Sequence, residues 1–82
     1  MDMTMSEAVT KRTEEYLAER GWTIYRLSRE SLLPVSTLRN LYSGHTKSPT
    51  LSVVFRIAET FGVSASEFLN SPWFFSENLE LE

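Results

Sequence analysis

The 82-residue chain contains no cysteine and a single histidine, His45. The first absence excludes disulfide staples, thiolate zinc sites and cysteine nucleophiles. The second leaves no histidine placed beside a nucleophile and a carboxylate orienter, and no second imidazole to complete a metal site. With three glycines and three prolines, there is neither a glycine-rich phosphate loop nor a low-complexity segment. No apolar run approaches the ~18 residues of a membrane span. Met1-Asp2-Met3-Thr4-Met5 lacks the basic and apolar stretches of a signal peptide. The expectation is a cytoplasmic protein that is not an enzyme, with no cofactor, no small-molecule ligand and no membrane partner.

What is present fits one small globular domain. Hydrophobic residues make up 41% and charged residues 23%, far from the balance of a disordered chain. A chain of this size folds near the margin, so its core must come from well-packed helices or from self-association. The net charge of −3 hides a segregation. Residues 57–82 hold five glutamates and no base, and residues 1–19 hold five acids against Lys11 and Arg12. The middle, 20–56, holds Arg20, Arg26, Arg29, Arg39, Lys47 and Arg56 against Glu30 alone. Such a chain can turn its middle toward a polyanion. Acidic ends also serve simple solubility, and charge alone does not decide.

Periodicity and capping signals divide the chain into five short helices. Val9, Thr13, Tyr16, Leu17 and the stem of Arg20 recur at spacings of three and four from Ser6 to Arg20, and Gly21 ends this helix. Thr23 caps a second segment to about Ser31, with Ile24, Leu27 and Ser28 inward. Pro34 disfavours the helical conformation at Leu33 and suits the first turn of a third helix to Tyr42, closed by Ser43-Gly44. Leu38 and Leu41 face inward from it. After a loop from His45 to Pro49, Thr50 caps a fourth helix through Phe61, whose core stripe is Leu51, Val54, Ile57, Ala58 and Phe61. Ser64-Ala65-Ser66-Glu67 fits a capping box for a short fifth helix carrying Phe68 and Leu69. The division is a domain over 1–70 and an aromatic, acidic tail over 71–82. Its last pair, Leu81-Glu82, reads as a cloning remnant.

The stretch 23–44 carries function. Two short helices separated by a tight break form a helix-turn-helix, in which one helix fits the ~12 Å major groove of DNA and the other braces it. Val35, Ser36, Thr37, Arg39 and Asn40 give the second helix an outward face of small, hydrogen-bonding and bidentate groups.

Residues from about 9 to 69 resemble the XRE-type helix-turn-helix domain of the phage repressor and Cro family. The matching pieces are Arg20-Gly21-Trp22-Thr23, Leu27-Ser28, Val35-Ser36-Thr37-Leu38-Arg39-Asn40-Leu41 and Ser43-Gly44. They continue with Pro49-Thr50-Leu51, Ile57-Ala58, Phe61-Gly62-Val63-Ser64 and Glu67-Phe68-Leu69. The resemblance implies an all-α, lambda-repressor-like fold of five helices, with 34–42 as the recognition helix. It implies base reading by Val35, Ser36, Thr37, Arg39 and Asn40. Arg39 suits guanine, Asn40 adenine, and Val35 a thymine methyl. Phosphate contacts fall on Thr23, Ser43, His45, Thr46 and Lys47, where helix N-termini and charge favour anions.

Three positions depart from the family's pattern. Ile24 stands where the family has a phosphate-clamping glutamine, leaving Tyr25 or Arg26 to take up the contact. Leu32 stands where the turn usually has glycine; a leucine in left-handed geometry costs ~1–2 kcal/mol, so the turn is either strained or differently shaped. Leu17 and Tyr42 occupy the positions of a buried arginine–glutamate pair, which predicts a packing contact in its place.

The expected function is a DNA-binding transcriptional regulator, a repressor, working as a homodimer on double-stranded DNA. Helix five and the Trp73-Phe74-Phe75 tail are the expected dimer surface, although those aromatics also suit a cap on the core. The competing reading is a protein-interaction module of antitoxin or adaptor type on the same fold, using the tail as its contact. Glu14-Glu15 and Glu77/Glu80 read as solvated charge, and Arg29 stays open.

Overall fold

A computed structural model describes residues 2–80, so Leu81 and Glu82, the expected remnant, lie outside the described residues. The helices are α1 (Met5–Arg20), α2 (Ile24–Ser31), α3 (Val35–Ser43), α4 (Leu51–Thr60) and α5 (Ala65–Phe68), followed by 3₁₀ turns at Pro72–Phe74 and Ser76–Asn78. The expected all-α fold of five helices is the one found. Among the described residues, no helix is long and apolar enough to cross a membrane.

Side-chain caps start four of the five helices. Thr4 opens α1 with a full capping box: its hydroxyl accepts from the Glu7 N–H at 3.1 Å, and the Glu7 carboxylate accepts from the Thr4 N–H at 2.8 Å. Thr23, Thr50 and Ser64 likewise accept from the N–H three residues on, at 3.2, 3.3 and 3.0 Å. At Ser64 only this half of the expected box forms. Gly21 closes α1 at φ +68°, with its own N–H on Ala18 O and that of Trp22 on Leu17 O, satisfying carbonyls the helix leaves open.

The core joins all five helices through Val9, Leu17, Leu27, Leu33, Leu38, Leu41, Val54, Ile57, Ala58, Phe61 and Phe68. Tyr16 stacks between Phe61 and Phe68, with ring centroids 5.0 and 5.8 Å away. Leu51, expected in this core, is instead 67% exposed. It is the first residue of α4, where the helix has not yet reached the core. The buried face then runs Val54, Ile57, Ala58 and Phe61, while Leu51 shares an exposed side with Phe55, one turn later.

Arginines of α1 tie the distant helices down. Arg12 donates to the carbonyls of Phe68 and Glu67, at 2.7 and 2.8 Å, and Arg20 donates to that of Phe61 at 2.7 Å. Each guanidinium thus satisfies carbonyls at a helix C-terminus, where the dipole favours a cation. Tyr42, expected to replace half of an ion pair with packing, also makes a polar contact to α1. Tyr42 donates its hydroxyl hydrogen to the Glu14 carboxylate, one turn before Leu17, so a charge-assisted hydrogen bond links α1 to α3. Burial first, then the bond and the negative charge of Glu14, hold the phenol well above the usual tyrosine range. Glu14 and Glu15 are therefore more than solvated charge.

The tail folds back on α1. The Trp73 indole N–H donates to Glu15 at 2.9 Å, the Lys11 ammonium lies 5.3 Å from the Trp73 ring, and Phe74 packs against Phe68. Met3 and Leu79 pair as an isolated parallel bridge, through Met3 N–H to Asn78 O at 2.9 Å and Glu80 N–H to Met3 O at 2.7 Å. Trp73 and Phe74 cover the chain's own core, while Phe75 stays exposed.

Candidate nucleic-acid interface

The turn between α2 and α3 is built from serines and one strained residue. Ser28 donates its hydroxyl to Leu33 O at 2.5 Å, and Ser31 accepts from the Leu33 N–H at 3.2 Å. Leu32 adopts φ +65°, alone among the described non-glycine residues in having a positive φ, and its side chain is 79% exposed. Of a strained turn and a reshaped one, the strained turn is the one present, with the leucine side chain largely in solvent.

From this turn α3 projects with Leu38 and Leu41 buried and Ser36, Arg39 and Asn40 exposed. Val35 and Thr37 are half-buried. The loop after α3 is pinned from below: Ser6 donates its hydroxyl to Thr46 O, and the Ser6 N–H donates to Lys47 O at 3.1 Å. The Thr46 N–H also returns to Asn40 O at 3.1 Å. Thr37, Asn40, Thr46, Ser48 and Thr50 line a cleft of about 210 Å³ between helix and loop. Ser43, His45 and Lys47 stand exposed at its side, and Ser43 accepts from the His45 N–H at 3.3 Å.

The bases of the middle segment divide into two groups. Arg20 is spent on Glu19 and the Phe61 carbonyl, Arg26 pairs with Glu30 at 3.3 Å and lies 4.6 Å from the Trp22 ring, and Arg56 reaches Ser31 O at 3.4 Å. Arg29, Arg39 and Lys47, like Arg56, have no carboxylate partner among the described residues. Of these, Arg39 and Lys47 border α3 and its loop. Thr23 lies at the N-terminus of α2, its hydroxyl already engaged as the cap. Tyr25, on the first turn of α2, is 56% exposed.

Two features escaped the sequence reading. One is the anchoring of the loop by Ser6, 40 residues away, which no local pattern signals. The other is a contact between Tyr25 and Arg39: the guanidinium Nη2 donates to the phenol oxygen at 2.5 Å and the guanidinium carbon lies 5.5 Å from the ring centroid.

The sequence model of the helix-turn-helix family matches residues 14–68. The crystal structure of the prophage Lp1 protein 11 is similar to this chain with a TM-score of 0.79 and 27% sequence identity, over 85% of this chain and 92% of that one. No curated protein matches the chain.

Proposed function

The chain belongs to the XRE-type helix-turn-helix family, a family of DNA-binding regulators rather than enzymes, and we propose that it is a sequence-specific transcriptional repressor that sets α3 in the major groove of an operator. The observation that carries this reading is the face of α3. Two leucines lock the helix to the core while Ser36, Arg39 and Asn40 point to solvent, beside a pinned loop bearing Lys47. A rigid polar helix flanked by uncompensated positive charge is what groove reading requires. Val35, Ser36, Thr37, Arg39 and Asn40 meet base edges. Thr23, Ser43, His45, Thr46 and Lys47 meet phosphates on either side, with Arg26 joining them only by leaving Glu30.

The domain over 1–70 together with its tail works as a homodimer on a two-fold site, half-sites about one helical turn apart. Its contact uses α5 and the tail, where Leu69 and Phe75 remain exposed, whereas Trp73 is committed to Glu15. The test is an amide NMR titration with a mixed-sequence duplex at low salt. Shifts should gather at Thr23, 34–40 and 43–47 with Kd ~10⁻⁴–10⁻⁶ M and fade as salt rises. Absence of any shift at low salt refutes the reading.

A protein-interaction reading has one observation of its own. Met5, Leu51, Leu69, Phe74 and Leu79 border an apolar groove of about 490 Å³, with Phe55 exposed on the same side of α4 as Leu51. That reading requires partner binding to survive charge reversal at Arg39 and Lys47. The DNA reading requires binding to be lost.

A further inference from the structure

We propose that Tyr25 is a positioning residue that aims the Arg39 guanidinium at a base, in place of the phosphate contact its position on α2 first suggests. The inference rests on the reading of α3 as the recognition helix.

Two contacts of different kinds hold Arg39 across 14 residues of sequence: the 2.5 Å hydrogen bond from Nη2 to the phenol oxygen, and the guanidinium lying 5.5 Å from the ring centroid. Together they fix both the reach and the tilt of a side chain that would otherwise sample many rotamers. Ordering such a chain at the moment of docking opposes binding, and ordering it beforehand removes that opposition.

The choice of partner matters as much as the geometry. Arg26 is paired with a carboxylate, and Arg20 with a helix carbonyl and a carboxylate, so part of each charge is already answered within the chain. Tyr25 is neutral, so Arg39 keeps its full charge for a polyanion. A guanidinium carries five N–H donors, and the phenol takes one. The remaining four suffice for the two-pronged contact with guanine O6 and N7. Both residues are exposed, so neither is needed to fill the core.

The experiment is selection from a randomised duplex library, read by sequencing, with the full chain and its Arg39→Ala and Tyr25→Phe variants. Arg39→Ala should relax a guanine preference at one position of the half-site. Tyr25→Phe keeps the ring and removes the hydroxyl. It should weaken that same preference ~3–10-fold, the worth of one hydrogen bond, and leave the other positions intact. Its melting temperature should stay within about 4 °C of the parent, as for an exposed substitution. Uniform weakening across all sequences would make Tyr25 a phosphate ligand and overturn the proposal. An unchanged guanine preference in Tyr25→Phe, with the Arg39 position still relaxed in Arg39→Ala, would overturn the positioning role alone. If the parent chain enriches no motif, the regulator reading falls with it.

Discussion

Substituting Leu32 tests the strained turn directly, because glycine and alanine there should reverse their ordinary order. At most positions alanine is the more stable of the two by ~0.5–1 kcal/mol, since glycine gives the unfolded chain more freedom to lose. At φ +65° any side chain meets the clash that makes left-handed backbone cost ~1–2 kcal/mol, and glycine does not. Subtracting the glycine entropy of ~0.4–1 kcal/mol leaves Leu32→Gly ahead of Leu32→Ala by about 0.5–1 kcal/mol. Both variants lose the same side chain. It is 79% exposed, so the lost burial is about a fifth of a full leucine, ~0.3–0.6 kcal/mol. Leu32→Ala should therefore fall slightly below the parent, and Leu32→Gly should match or exceed it. With an unfolding entropy of ~2.1 cal/mol/K per residue, the gap between the variants corresponds to ~3–6 °C in Tm. Thermal melts followed by circular dichroism at 222 nm would show it, with urea titration confirming that the m-value is unchanged. An alanine variant as stable as the glycine variant would refute the strain. An alanine variant more than ~1.5 kcal/mol below the parent would show that the leucine side chain packs after all.

Arg12→Ala removes both bonds to the carbonyls of Glu67 and Phe68 from a side chain only 16% exposed. It should cost ~2–3 kcal/mol in urea unfolding, and Arg12→Lys should recover less than half, because an ammonium lacks the fork. Tyr42→Phe should cost ~1 kcal/mol at pH 7 by losing the bond to Glu14. The folded-state pKa of Tyr42 is raised, so this stabilisation is complete below the unfolded value of ~10 and declines above it, where the unfolded chain releases the proton first. The stability gap between parent and variant should thus widen as pH falls from 11 to 9 and stay level below; a gap constant across that range would refute the link. Lys47→Ala should weaken duplex binding alike for all sequences and lower the salt slope by about 0.9, measured by fluorescence anisotropy at several salt concentrations.

The helix boundaries were legible because their causes are local. Thr23, Thr50 and Ser64 cap through groups three residues away, and Gly21, Gly44 and Gly62 all adopt positive φ after a helix. Even the missed cap follows this rule, since Thr4-Met5-Ser6-Glu7 carries the capping-box spacing in plain view. The third helix ran one residue past its expected end at Tyr42, to Ser43, within the usual fraying of a last turn. The face of α3 was legible too, because Leu38 and Leu41 leave only one side for Ser36, Arg39 and Asn40.

The sequence by itself determined five helices, their order and the polar face between them, because caps and three-to-four spacing act within one turn. Tertiary structure decided what the charged and aromatic residues do. Arg12 and Arg20 were placed among the chain's bases, yet they close helices 55 and 41 residues away. Glu14 and Glu15, taken for solvated charge, hold Tyr42 and Trp73. Tyr25, assigned to phosphate, holds Arg39. Such long side chains reach any neighbour the fold supplies, and their partners lie too far along the chain for periodicity to reveal. Leu51 fails for the complementary reason: its spacing continues the stripe of α4, but a stripe fixes only a direction, and the extent of the core in that direction is set by the packing of the other helices.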